Sequence, residues 1–168
     1  MDNLDIIAER IRADLTAKNT ARDATLARSR ELIRFCSLAI RATHRQEFAE
    51  AEQLLATARA AADEMKTGIA GYPDLYYTGY TQDALKELAE AYITFAVVND
   101  HPLPTPEELG VDAAAYLNGL CEAASELRRS TDALRAVLER TRGDLTNSLQ
   151  QEKLLRELQA FEQRINGR

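Results

Sequence analysis

Apolar residues recur along almost the whole chain at three- and four-residue spacing, and no segment sustains a period of two. That pattern predicts an all-α fold. Residues 3–44 contain no Gly or Pro and read as one long helix or two in line, with Ile33, Cys36 and Ile40 on a core stripe. A second helix is expected from about Gln46 to Met65, where Ala49, Leu54, Leu55, Ala58, Ala61 and Ala62 supply small packing groups. Gly68, Gly71 and Pro73 break it. The segment 81–99 is apolar on most of its circumference and reads as a buried central helix. Pro102, Pro104 and Pro106 then forbid a continuous helix, and Thr105, Pro106 and Glu108 make a capping-box start to a single turn that Gly110 ends. Asp112 caps a helix that runs through Leu134, Val137 and Leu138 to about Arg142, where Gly143 punctuates it. A last amphipathic helix follows, with Leu154, Leu158, Phe161 and Ile165 on one stripe. Residues 1–168 therefore read as a single-domain antiparallel bundle of about six or seven helices.

Composition narrows the setting. With 45% apolar and 29% charged residues the chain can bury a real core, and it has no 18-residue apolar run that would span a membrane. Asp2, Asp5, Glu9 and Asp14 rule out a secretory apolar region near the start, so a cytoplasmic location is the default. Cys36 and Cys121 have no paired or metal-ligand spacing and read as buried thiols. The net charge of −6 argues against a protein coated in nucleic acid, but it leaves room for a local basic face.

The candidate chemistry lies on the central helix. Asp83, Glu87, Glu90 and Thr94 form one narrow line on an otherwise apolar surface, and carboxylates buried there need compensation. Lys86 is placed to pair with Glu90, and solvated glutamates are the simplest account of this pair alone. Glu122 and Glu126, four apart on a later helix, form a second acidic pair that either Arg129 or a divalent metal would neutralise. A Gly-rich phosphate loop, an HExxH motif and the ExxH motifs of di-iron bundles are all missing. Four carboxylates without histidine suit a hard cation, Mg²⁺ or Mn²⁺. A separate line of Arg30, Arg34, Ser37, Arg41 and Arg45, with His44 beside it, reads as either a solvated face or a phosphate-binding one. Tyr72, Tyr76, Tyr77 and Tyr80 precede the central helix, where they would pack its start or stack on bases.

The segments IRATHR (40–45), YPDLYYTGYTQDALKELAEAYITF (72–95), PEELGVDAAAYLNGLCEAASELRR (106–129) and, more loosely, LERTRGDLT (138–146) resemble the translin and Trax (translin-associated factor X) family. The resemblance covers about residues 20 to 146, and YLNGL with ASELRR is its most specific part. It implies an α-helical nucleic-acid-binding protein. Translin itself lacks a carboxylate cluster, whereas Trax is a metal-dependent endoribonuclease, and Glu87, Glu90, Glu122 and Glu126 match the Trax carboxylate segments. This chain departs from Trax at Glu122, where an Asp would be expected.

The resemblance thus implies a hollow oligomer that encloses RNA or single-stranded DNA, an octamer among the options, built from copies of this chain or with a translin-like partner. In that reading Glu87, Glu90 and Glu122 hold the metal, and Glu126 ligates it or orients the attacking water. Arg30, Arg34, Arg41, His44 and Arg45 would contact the nucleic acid. Two rivals stand beside it: a non-catalytic translin-type scaffold, and an all-α nucleoside-triphosphate pyrophosphohydrolase. The second pair in the latter is ExxD-like, which the four-residue step from Glu122 to Glu126 does not match.

Overall fold

A computed structural model describes residues 2–141, with side chains for residues 3–132, and the helical positions 156, 157, 159, 160 and 163. Six helices follow one another with no strand among the described residues. The first, α1, is a single unbroken helix over Asp2–His44, roughly 64 Å long at 1.5 Å per residue. Gln46 then takes a left-handed conformation (φ 63°), which ends α1 and delays α2 to Phe48–Gly68, two residues later than the apolar pattern predicts. A short α3 (Pro73–Tyr76) leads into the central α4 (Gly79–Val98).

The proline-rich connection forms as its residues dictate. Thr105 and Glu108 make the reciprocal capping box, Pro106 starts the single turn α5 (Pro106–Leu109), and Gly110 closes it at φ 62°. Arg59 of α2 donates to the Glu108 and Leu109 carbonyls and ties that turn to the bundle. α6 then spans Ala113–Thr141. Gly143 and the stripe of Leu154, Leu158, Phe161 and Ile165 lie outside the described residues.

α4 is the centre of the bundle and packs on α1, α2 and α6. Its Leu85, Leu88 and Ile93 are almost completely buried, each contributing about 1.5–3 kcal/mol of burial. Only the second half of α1 shares that core, through Leu32, Cys36, Ala39 and Ala42, whereas Leu4, Ile6, Ile7, Ile11 and Leu15 are 46–69% exposed. Of the tyrosines before α4, Tyr77 is 69% exposed and Tyr76 packs inward. Tyr76 is half-buried against the core and meets Tyr77 edge to face at 5.0 Å.

Both cysteines were expected inside, but only Cys36 is buried. α6 turns Ala115, Gly119, Ala123 and Leu127 inward at four-residue spacing, which leaves Cys121 on the opposite, exposed side. No helix among the described residues is long and apolar enough to cross a membrane.

Candidate functional site

Three helices meet around one acidic pocket. Ser37, Ile40, Arg41 and His44 come from α1 at helical spacing, Glu87 and Glu90 from α4, and Glu126 from α6, enclosing about 220 Å³. Glu87, Glu90 and Glu122 each place one carboxylate oxygen within 4.8 Å of the others. Gly119 makes this convergence of α4 and α6 possible. A Cβ there would stand 2.8 Å from the Ala89 Cβ and closer than 3 Å to the α4 backbone, so only glycine lets α6 lie this near. Glu122 is three residues further along the same helix. An isolated Gly inside a helical pattern was the available signal for this contact.

Glu90 is the least solvated of the four, 7% exposed, and its carboxylate has no hydrogen bond or ion pair among the described residues. Burial pushes its pKa up to about 7, and the charges of Glu87, Glu122 and Glu126 add to the rise. Cys36 of α1 lies near enough that Glu87 and Glu90 reinforce the upward shift that burial imposes on its thiol. Asp83, at the start of the same line on α4, is exposed and outside the pocket. Thr94, at its other end, is fully buried.

The remaining carboxylates have protein partners. Glu126 accepts from Arg129 Nη2 at 2.6 Å and lies 3.1 Å from His44 Nε2, and the Arg129 hydrogen bond holds its carboxyl below the usual range. Lys86 was expected to pair with Glu90. It donates instead to Glu122 Oε1 at 2.8 Å and lies 3.3 Å from Glu87 Oε1, across the α4–α6 junction.

The basic line divides. Arg30, Arg34 and Arg41 are exposed and make no ion pair among the described residues, with Arg34 over the Phe35 ring at 4.7 Å. Arg45 is answered by Glu47 at 2.5 Å and Glu50 at 3.8 Å. His44 turns inward to Glu126. Of this line Arg41 also borders the acidic pocket, so the basic face and the carboxylates share a border.

No family model matches the chain. Solved structures do. One is the crystal structure of an Archaeoglobus C3PO, with 24% identity and a TM-score of 0.67 over 95% of this chain and 93% of that one. The fold is translin-like. A complex of the same C3PO with duplex RNA gives 25% identity and a TM-score of 0.68 over 95% of this chain and 91% of that one. Apo C3PO from Nematostella gives 20% and 0.63, covering 99% of this chain and 94% of that chain. Among curated sequences, uncharacterized protein MJ0175 of Methanocaldococcus jannaschii is 26% identical over 118 residues. The match takes in 68% of this chain, which spans about half the length (51%) of that relative.

The donor set fits a small hard cation. All three converging groups are carboxylates, one of them is buried without a hydrogen bond among the described residues, and oxygens up to 4.8 Å apart need little movement to share an ion with ligand distances of about 2.0–2.1 Å.

Proposed function

We propose that this translin-like chain is a Mg²⁺- or Mn²⁺-dependent endoribonuclease that acts on short or single-stranded RNA inside an oligomeric shell in the cytoplasm. The observation that carries the reading is the convergence of Glu87, Glu90 and Glu122 from two helices beside a pocket that Arg41 also lines. The similar C3PO that was solved with duplex RNA supports the choice of nucleic acid as ligand.

Each group then has a role. Glu87, Glu90 and Glu122 would hold the metal, whose chemistry is to activate water and to stabilise charge on phosphate oxygens. Arg41, at the border of the pocket, would hold the phosphate next to the carboxylates, and Arg34 and Arg30 would hold its neighbours along α1. Glu126, fixed by His44 and Arg129, would orient the attacking water.

One observation favours a second reading. Lys86 and Arg129 already answer Glu87, Glu122 and Glu126, which is the arrangement of a non-catalytic RNA-binding scaffold with structural ion pairs. A cleavage assay on a short labelled RNA, with Mn²⁺ and then with excess chelator, separates the two. The nuclease reading requires cleavage that depends on the metal and disappears in Glu87→Gln while RNA binding persists. Binding without metal-dependent cleavage would leave the scaffold.

A further inference from the structure

Lys86 is an unusual neighbour for a metal site. Its ammonium sits between Glu87 of its own helix and Glu122 of α6, at 3.3 and 2.8 Å, and these are two of the three carboxylates that converge. Only 19% of its side chain is exposed, low for a lysine. Its position is set by the helix crossing, because the Lys86 carbonyl oxygen lies where a Gly119 Cβ would come within 2.7 Å.

We propose that Lys86 is the resident cation of the carboxylate cluster, competing with divalent metal for Glu87 and Glu122 and thereby setting how tightly this chain holds the metal. Two cations that share the same carboxylates weaken each other's hold, since at that distance in a partly buried site their repulsion is only weakly screened. Three carboxylates against one ammonium still leave the cluster negative, so metal is attracted, but the lysine competes with it for Glu87 and Glu122. Glu90, which Lys86 does not reach with a hydrogen bond, is the carboxylate left to receive the ion first. The inference rests on the metal-dependent reading above and adds the group that limits it.

The test measures free Mn²⁺ by electron paramagnetic resonance in titrations of the full chain and its Lys86→Gln, Lys86→Arg and Glu122→Gln variants. Removing the competing charge should tighten the Mn²⁺ Kd about tenfold or more in Lys86→Gln. Lys86→Arg, which restores the charge, should return it toward the wild-type value. In wild type, the NMR signal of the Lys86 ammonium should shift in step with added Mg²⁺, a readout that does not depend on any variant folding. If wild type binds Mn²⁺ at a site that Glu122→Gln weakens, yet Lys86→Gln leaves Kd unchanged and the ammonium signal does not move, Lys86 is no competitor and the metal reading survives alone. If Lys86→Gln binds Mn²⁺ and wild type does not, the competition holds and wild type is not the Mn²⁺ enzyme proposed. If no form binds, both ideas fall.

Discussion

Gly119 of α6 lies directly on Glu90 of α4: a Cβ at position 119 would stand 2.9 Å from the Glu90 backbone nitrogen. The atoms it would meet include backbone, which cannot rotate away. Gly119→Ala gains about 0.5–1 kcal/mol of helix propensity but incurs an overpacking cost of about 1–3 kcal/mol. We expect a net loss of about 1–2 kcal/mol and a weaker Mn²⁺-induced rise in Tm, because Glu122 moves off with α6. Gly79, with nothing within 4 Å of its added Cβ, is the control. Should Gly119→Ala melt no lower than Gly79→Ala, the close crossing does not exist.

The metal-free protein should lose stability as pH rises from about 4.5 to about 7. Glu90 has its pKa raised from 4.5 to about 7, so over that window the folded state holds a proton that the unfolded state has released. The stabilising effect is complete below 4.5 and gone above 7. Glu126 acts oppositely: its lowered pKa gives stability that is present above the ordinary value of 4.5 and lost on acidification below it. Denaturant melts across pH 4–8 in chelator should show the decline in wild type and a flatter curve in Glu90→Gln. An equal slope in both proteins would mean that Glu90 ionises as an ordinary surface carboxylate.

Much of the fold was legible because burial follows period. The unbroken α1, the proline-rich connection with its Thr105–Glu108 box and the buried central helix all come from local chemistry that tertiary packing did not override. The candidate site was legible only as two acidic pairs. Spacing along one helix shows that Glu87 and Glu90 share a face, but the distance to Glu122 is set by the α4–α6 crossing, which depends on Gly119. The partner of Lys86 differs from the one its spacing predicts for the same reason. Helical spacing offers the lysine Glu90 four residues on along the same helix, and its hydrogen-bond partner comes from α6. Cys121 looked like a core residue because a thiol is usually buried, and only the inward stripe of α6 shows that it faces out.

Self-association is expected from α1. Leu4, Ile7, Ile11 and Leu15 recur at three- and four-residue spacing on its first half and remain exposed, an apolar stripe that a monomer has no reason to keep. Light scattering at micromolar concentration should give a multiple of the 18.7 kDa chain mass. A monomer mass would count against any enclosed shell.

RNA binding should run through phosphates. Arg34 and Arg41 are exposed and have no carboxylate partner among the described residues, so replacing both with Gln should weaken binding similarly across unrelated sequences. The slope of log K against log salt should become shallower by up to about 0.7 per lost contact. Arg45→Gln should matter less, since Glu47 and Glu50 already answer that guanidinium. An unchanged slope in the double variant would make the line a solvated face.

Glu122→Gln keeps the size of the side chain and removes its charge, and two effects then oppose each other in the metal-free protein. Lys86 exchanges a charged partner for a neutral amide oxygen, but the Glu122 side chain is 44% exposed, so the lost charge pair is worth about 0–1 kcal/mol. Glu90 loses a repelling neighbour, one of the charges that hold its carboxyl up near 7, and gains stability when ionised. The metal-free melting temperature should therefore barely move. With metal the outcome differs, because a site occupied at a hundredfold excess over Kd stabilises the fold by about 2.7 kcal/mol, and the variant should forfeit most of it. Paired melts of both proteins with and without Mn²⁺, run beside an RNA cleavage assay, read both arms. A loss of stability without metal, no Mn²⁺ shift in wild type and no cleavage would together show that Glu122 serves its ion pair with Lys86 and nothing more.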